Sequence, residues 1–269
     1  MRKSLLSLAV LSALSIPTAV FAEEAAAPAA AAPAPAYTIG YNVGLYSQYV
    51  FRGLSQTSGE PAIQGGVDFT HASGFYAGAW ASNISWLEDA ATLAPTFGYK
   101  NSSLELDVYG GYRNTIGATG LGYDVGVLQY IYPGHRNSAA ATADTTEVYG
   151  ALSYKWLQAK MSYIASDSGL GNPNASGSYY AELNANYPIG ETGITINAHA
   201  GRQKFDGAAL SELSYTDWKL GATKAFSNGV NVGGYYTDTN GSDALYGGGA
   251  YAGGSIAKST FTAFVQKTF

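Results

Sequence analysis

Apolar and polar residues alternate with a period of two from Tyr37 to the last residue of the chain. Because successive side chains of a β-strand point to opposite faces, such runs indicate strands with one apolar and one polar face. No stretch of comparable length shows the 3.6-residue period of a helix. Twelve runs have the strand pattern: 38–52, 61–71, 75–85, 103–113, 121–132, 145–155, 157–166, 177–188, 192–203, 214–225, 229–238 and 259–269.

The connections between these runs alternate between short and long. Short turns, such as 72–74 and 226–229, would lie on one rim, and longer polar loops, such as 133–144, on the other. This pattern is typical of an outer-membrane barrel, in which an even strand number places both chain ends on the rim of short turns. The segment 93–100, LAPTFGYK, could form a thirteenth strand, but the alternation of the connections favours a loop.

Composition indicates what each face of these strands meets. Charged residues make up 12% of the chain, whereas aromatic residues make up 13%. A soluble β-sandwich, the main alternative, should carry a well-charged outer face, which this composition does not supply. The sequence therefore predicts an all-β fold: a closed antiparallel up-and-down transmembrane β-barrel of about 12 strands.

The amino terminus has the features of targeting and linker sequence. Residues 1–22 carry a basic head, an apolar centre and a small-residue cleavage pattern, which indicates a secretory signal peptide. A retained membrane anchor is the alternative, but the apolar run is short for a membrane span. Residues 23–36 are rich in alanine and proline and predict an extended periplasmic tether. The barrel would then span residues 37–269.

In a membrane barrel, the apolar face of each strand meets lipid and the other face meets the lumen. In the first run, Val43, Leu45, Tyr49 and Phe51 are therefore expected to face lipid. The run 75–85 is equivocal, because alanines alternate with larger residues, and we assign the alanines to the outside.

The inward faces collect charged residues, which are the candidates for lining a pore. Seven acidic against four basic residues predict a mildly cation-preferring lumen. The alternative is a salt-bridged filling that only stabilises the barrel. Twelve strands imply a backbone radius of roughly 12 Å, so the water path would be narrow. The candidates are Asp68, Glu105, Asp107, Asp124, Glu147, Glu182, Asp217, Arg52, Arg113, Lys160 and Lys219.

Catalytic and cofactor-binding motifs are not recognisable in the sequence. The chain has no cysteine, and its three histidines lack the close spacing of paired metal ligands. His71 and Ser73 faintly resemble the His-x-Ser of an outer-membrane phospholipase, but they fall on a short periplasmic turn. We therefore predict no enzyme activity, no metal and no cofactor. A net charge of −5 without a basic patch predicts that nucleic acid is not a partner.

The carboxyl end, STFTAFVQKTF, alternates and finishes in Phe269. An aromatic last residue on such a strand resembles the signal that the barrel assembly machinery reads, although Lys267 stands where a hydrophobic residue is more usual. An ordered set of segments, including SQYVFRGLSQT, PAIQGGVDF, GFYAGAWASNI, LELDVYGGY and GYDVGVLQYIYPG, resembles the TorF-type porins of proteobacteria. The resemblance spans nearly the whole chain after the tether and implies an outer-membrane barrel of the porin class, without identifying a solute.

Together these inferences predict a porin or channel for passive diffusion of small hydrophilic solutes in the outer membrane of a Gram-negative bacterium. Its expected partners are membrane lipid, the barrel assembly machinery and a small-molecule solute. The alternative function is a closed barrel that acts as a structural or adhesive surface protein through its extracellular loops. The sequence leaves the solute, the pore diameter and the oligomeric state open.

Overall fold

The structure, a computed structural model, describes residues 35–93, 98–138, 140–247 and 254–269. Within these residues, twelve antiparallel strands form one closed barrel in which strands that follow each other in the chain are neighbours. This confirms the predicted fold class and strand number. The barrel strands are β1 (Tyr37–Tyr46), β2 (Ala62–His71), β3 (Phe75–Asn83), β4 (Leu104–Thr115), β5 (Leu121–Ile131), β6 (Thr145–Tyr154), β7 (Leu157–Ile164), β8 (Tyr179–Pro188), β9 (Ile194–Lys204), β10 (Tyr215–Ala225), β11 (Val230–Thr239) and β12 (Thr260–Thr268).

The first and last strands close the barrel. β1 pairs with β2 along its whole length, from Tyr37 opposite His71 to Tyr46 opposite Ala62. On its other side, β1 pairs with β12 from Asn42 to Tyr46. Backbone groups along this seam are therefore paired within the protein, which is the condition for a sheet to cross hydrocarbon. The β-sandwich alternative is wrong, because a single sheet closes on itself.

Exposed apolar side chains alternate along the strands with buried or polar ones. On β1, Leu45 is 60% exposed and its neighbour Tyr46 only 6%. On β3, Ala77 lies on the exposed side and Trp80 is buried, in agreement with the predicted orientation. An apolar outer belt of this kind suits lipid. Its exposed members include Val43, Ile63, Val67, Phe69, Leu104, Val108, Val148, Leu152, Met161, Leu183, Leu220, Phe261 and Val265.

Short and long connections lie at opposite ends of the strands, and we call these ends the inner rim and the outer rim. The inner rim carries the turns 72–74, 116–120, 155–156, 189–193 and 226–229. The outer rim carries the connections 47–61, 84–103, 132–144, 165–178, 205–214 and 240–259. The strict alternation predicted from the sequence is therefore confirmed.

The segment 93–100 lies in an outer-rim connection, as predicted, and adds no barrel strand among its described residues. Helix α1 (Trp86–Leu93) precedes it, and residues 94–97 lie outside the described part of the chain. The two-residue strand Tyr99–Lys100 pairs with His135–Arg136 of the next outer-rim connection. This pairing joins two loops to each other. Further short elements on the outer rim are a 3-10 helix (Ser211–Leu213) and helix α2 (Asp243–Tyr246).

The first predicted strand is wrong beyond Tyr46. β1 ends there, and the chain forms a short hairpin in which Val50–Phe51 pairs with Leu54–Ser55. Tyr49 is fully buried, so it does not face lipid, and Phe51 is partly buried against interior residues. The alternation that suggested a longer strand arises because a hairpin has the same two-residue period.

The predicted signal peptide, residues 1–22, and nearly all of the tether, residues 23–36, lie outside the described residues. In the described part of the chain, the helices are too short and insufficiently apolar to cross a membrane.

Candidate channel lumen

The connection 47–61, which we call loop 1, folds into the barrel. Its hairpin turns at Arg52 and Gly53, whose positive φ angles of 47° and 78° suit a two-residue type I′ turn. The turn reaches the far wall at β10, since a Cβ built on Gly53 would lie 2.5 Å from the Cβ of Asp217. Glycine is therefore required here for both its backbone angle and its lack of a side chain. Loop 1 crosses the lumen.

Arg52 fastens the tip of loop 1 to the barrel wall. Its guanidinium donates two hydrogen bonds of 2.8 Å to the two carboxylate oxygens of Glu147 on β6. It donates a third, of 3.0 Å, to Gln203 on β9 and lies 4.3 Å from the ring centre of Tyr180 on β8. Two parallel bonds to one carboxylate are a strong and directional form of ion pair. The contacts join loop 1 to three separate strands.

Burial and charge act in opposite directions on Arg52. Its side chain is 7% exposed and that of Glu147 is 1% exposed. Burial alone would lower the pKa of Arg52, but the adjacent Glu147 carboxylate outweighs burial and the pKa is raised. The guanidinium therefore stays charged. An ion pair so far removed from water depends on both partners being present.

The residues that lead into the hairpin turn, from Tyr49 to Phe51, pack on the opposite side of the lumen from the contacts of Arg52. Tyr49 donates a 2.6 Å hydrogen bond to Glu105 on β4, and its ring packs edge-on against Trp80 on β3. Phe51 packs edge-on against Tyr130 on β5. Asp107 lies two residues from Glu105 on the same face of β4 and is fully buried. Neither of its carboxylate oxygens has a hydrogen-bond partner among the described residues.

A small cavity, which we call the inner cavity, lies beside the tip of loop 1. Its volume is about 50 Å³, enough for a few water molecules. Lys160 and Lys219 line it, and their ammonium groups lie 4.5 Å and 5.1 Å from the ring centres of Tyr149 and Tyr235. Its other lining residues include Arg52, Tyr180, Glu182, Asn184, His199 and Asp217.

A hydrogen-bond network centred on His199 forms one wall of the inner cavity. The Nε2 atom of His199 is 2.8 Å from the Tyr180 hydroxyl and 3.1 Å from an oxygen of Asp217. Its Nδ1 atom is 2.7 Å from the side-chain oxygen of Asn184 and 3.5 Å from Glu182. The network spans β8, β9 and β10 and links polar side chains of three strands at mid-height in the lumen.

A second polar layer lies closer to the inner rim. Tyr109 donates a 2.6 Å hydrogen bond to Asp68, and the Tyr76 hydroxyl contacts Asp124. The guanidinium of Arg113 lies 4.0 Å from the ring centre of Tyr76. These residues come from β2 to β5. The inner end of the lumen is therefore lined on this side by tyrosines that bridge charged groups.

All the predicted pore-lining candidates point toward the interior, but they fall into two groups. Glu105, Asp107, Glu147 and Arg52 are buried under or within loop 1. The remaining candidates surround the inner cavity or the layer below it: Asp68, Asp124, Glu182, Asp217, Arg113, Lys160 and Lys219. Arg52 reaches the lumen from a loop, not from a strand as predicted.

Sequence reasoning missed the tyrosine, glutamine and histidine partners of these charges. Tyr180 and Gln203 contact Arg52, and His199 joins Asp217 to Glu182. The signal was present, because Tyr180 shares the strand parity of Glu182, and Gln203 that of His199. Applying the inward parity to neutral polar residues as well as to charged ones would have identified them.

The outer-rim connections pack together over loop 1 and enclose a second cavity, which we call the outer vestibule. Its volume is about 260 Å³, and apolar and aromatic side chains dominate its lining. All six outer-rim connections contribute to it. The loops were predicted to be polar, yet they carry the apolar residues that make this contact: Phe51, Leu54, Trp86, Leu87, Tyr132, Leu170, Phe205, Leu213, Tyr246 and Ile256.

Histidine and acidic side chains are the candidates for metal ligands in this chain, which has no cysteine. In the part of the chain that the structure describes, these residues form no group of three or more that could hold a metal ion. His71 does contact Ser73, at 2.7 Å, but both are exposed at an inner-rim turn. The arrangement inside the barrel is suited to contacts with water and solute through charge and hydrogen bonding.

Residues 30–269 match the model of the Gcw_chp family, described as a bacterial protein of unknown function. The chain belongs to this family. No curated protein matches it in sequence.

Solved structures resemble this Gcw_chp protein in fold. The NanC porin aligns with a TM-score of 0.50 at 12% identity, over 86% of this chain and 99% of that one. The KdgM porin aligns with a TM-score of 0.49 at 9% identity, over 86% and 98%. An outer-membrane channel from Pseudomonas putida F1 aligns with a TM-score of 0.45 at 14% identity, over 89% and 97%. At 12% identity the likeness to the NanC porin concerns the fold alone, a closed antiparallel barrel.

Proposed function

We propose that this Gcw_chp protein is an outer-membrane channel for passive diffusion of small hydrophilic solutes. The observation that carries the proposal is the interior of the barrel. Charged and hydrogen-bonding side chains of β2 to β10 face a lumen that loop 1 crosses through side-chain contacts, chiefly the Arg52–Glu147 pair. A loop held in this way narrows a water path without becoming part of the barrel wall. The porin-like fold supports the same function.

Location, assembly and family likeness follow from this proposal. The apolar outer belt favours a membrane, and the barrel shape favours the outer membrane of a Gram-negative bacterium. The TorF-type resemblance of the sequence is consistent with this class. We further propose that the barrel assembly machinery inserts the chain through its last strand, and that the protein is not an enzyme.

A weak cation preference is part of the proposal. Seven acidic against four basic inward residues gave that expectation. Burial changes the balance, because Glu105, Asp107, Asp217 and the Arg52–Glu147 pair are withdrawn from water. The remaining groups are three acidic and three basic, so the cation preference depends on the field of the buried carboxylates. Reversal potentials across a planar bilayer under a salt gradient measure this preference, and clear anion selectivity would rule it out.

A closed barrel with a structural or adhesive role is the second candidate. The observation that favours it is that loop 1 fills the outer part of the lumen and leaves an inner cavity of only about 50 Å³ beside its tip. Such a protein would act through the surface formed by its outer-rim connections. In that case the interior charges would serve stability alone.

Single-channel recording separates the two candidates. We expect discrete current steps from the purified full-length protein in a planar bilayer. Liposome swelling with sugars, amino acids and vitamins of graded size would then give the size limit of the path. A protein that inserts as a folded barrel yet carries no current under any applied voltage would refute the channel and leave the structural role.

A further inference from the structure

Two basic residues lie on the outer face of the barrel near the outer rim. Arg202 and Lys204 on β9 share the parity of the outward Ala200, and Arg202 is exposed. Their partners in register on the neighbouring strands are Ala181, Tyr179 and Thr216, which carry no charge. Among the described residues, the side chains of Arg202 and Lys204 form no hydrogen bond or ion pair. Two unpaired cations on a lipid-facing wall require a counter-charge from outside the protein.

Aromatic residues indicate the depth of these cations in the membrane. Trp218 stands in register with Ala200, two residues before Arg202, and is 44% exposed. Its ring lies 5.7 Å from that of Tyr236, which is also exposed. Amphipathic aromatic side chains on a barrel wall concentrate at the boundary between hydrocarbon and headgroups. Arg202 and Lys204 therefore lie at headgroup level, above the apolar belt.

A shallow apolar groove leads from Arg202 down the outside of the barrel. Its floor follows one row of the strand register, in which Val125, Gly150, Met161 and Ala181 stand side by side and Arg202 ends the row. The groove has a volume of about 690 Å³ and an almost entirely apolar lining. It exists because the side chains at Gly150 and Ala181 are short.

We propose that this surface binds a phosphorylated glycolipid of the outer leaflet, of the lipid A type. A phosphate group would bind Arg202 and Lys204, because a guanidinium matches phosphate oxygens with two parallel hydrogen bonds. One acyl chain would lie in the groove below. The charge complementarity at the top of the groove and the apolar lining beneath it select a lipid with an anionic head. This inference rests on the membrane location, not on the conduction of solutes.

Lipid titration of the purified full-length protein in detergent micelles tests the proposal. Native mass spectrometry with bisphosphorylated lipid A should show a discrete bound lipid. Each basic residue near a membrane surface contributes about 1 kcal/mol, or about fivefold in affinity, so the Arg202→Gln/Lys204→Gln variant should bind about 25-fold more weakly. Lys224→Gln is the matched control, since Lys224 lies on β10 with outward parity near the inner rim. It should bind as the wild type does.

A groove-filling variant tests the acyl chain separately. A Cβ at Gly150 meets nothing within 4 Å, so Gly150→Leu should fold normally and yet weaken binding several-fold by occupying the groove. Equal binding by the wild type and the Arg202→Gln/Lys204→Gln variant would overturn the proposal. So would equal loss in Lys224→Gln, or equal affinity for phosphatidylglycerol of the same chain length. Current recordings on the same variants should be unchanged, which keeps this test independent of the channel function.

Discussion

At the scale of single residues, the contact between Arg52 and Glu147 matters most because both side chains are buried and charged. Replacing Glu147 by glutamine would leave a buried cation with weaker, neutral partners. We expect Glu147→Gln to lower the free energy of unfolding by about 3 kcal/mol, the cost of breaking a buried ion pair by removing one partner. Urea titration of the folded barrel in micelles measures it.

The same substitution should also affect conduction, because it loosens the tip of loop 1. The control is Asp68→Asn, which neutralises an interior carboxylate that receives a hydrogen bond from Tyr109 and takes no part in holding loop 1. A larger current in Glu147→Gln than in Asp68→Asn is expected. Equal stability and equal current in the two variants would show that the ion pair does not fasten the loop.

Asp107 gives the opposite expectation. Its carboxyl group is fully buried and has no hydrogen-bond partner among the described residues, and Glu105 is its neighbour on the same face of β4. A buried charge without partners costs free energy, which an amide of the same size avoids in part. We expect Asp107→Asn to raise the free energy of unfolding by about 1 kcal/mol. A clear loss of stability would mean that the carboxylate has a function that the amide cannot replace.

For residues within the barrel strands, prediction from the sequence gave the correct orientation but not the contact partners, and for Tyr49 and Phe51 of loop 1 the predicted orientation was wrong. The two-residue period was enough to turn Asp68, Glu182 and Lys219 inward, because each strand has only two faces. It could not pair Arg52 with Glu147, since 95 positions separate them in the chain and the contact depends on the path of a loop. Pairing across a lumen needs the barrel register and the loop conformation, neither of which periodicity contains.

At the scale of elements, loop 1 is the feature that the strand pattern disguised. Residues up to Arg52 alternate as β1 does, so the sequence alone extends the strand into the loop. The decisive local signal is the Arg52–Gly53 pair, because a two-residue turn with positive φ at both positions favours glycine at the second. The residues of β1 and of the hairpin therefore show the same alternation in the sequence, although β1 lies in the barrel wall and the hairpin lies in the lumen.

Shortening this hairpin should open the lumen. We expect replacement of residues 50–55 by two glycines to increase single-channel conductance several-fold, because it removes the turn that reaches β10 and Arg52, which covers Glu147. A matched shortening of the connection 205–214 is the control, since this loop lies on the outer rim. If both deletions raise the conductance alike, the outer vestibule, not loop 1, limits the current.

At the scale of the whole molecule, the last strand, β12, closes the barrel by pairing with β1 and also carries the predicted assembly signal. Phe269 is 69% exposed, and its backbone amide donates a 2.9 Å hydrogen bond to Tyr41 on β1. We expect deletion of Phe269 to reduce the amount of folded protein in the outer membrane, measured by the heat-dependent shift of the barrel on gels. Deletion of the same residue should leave refolding in detergent nearly unchanged. Normal membrane yield would contradict an assembly signal at this position.

The membrane-spanning arrangement of the entire barrel is testable with two outward-facing residues on different strands. Leu45 is 60% exposed on β1, and Leu106 lies on the same outward parity of β4. Because the chain has no cysteine, single cysteines at these positions give site-specific fluorescent labels. In liposomes, both labels should be quenched by lipid-borne quenchers and protected from iodide, whereas a label at the exposed Ala208 of the outer rim should respond to iodide. A water-soluble barrel would instead expose all three positions to iodide alike. In that case a lipid-facing exterior and a water-filled interior could no longer explain the alternation of apolar and polar residues.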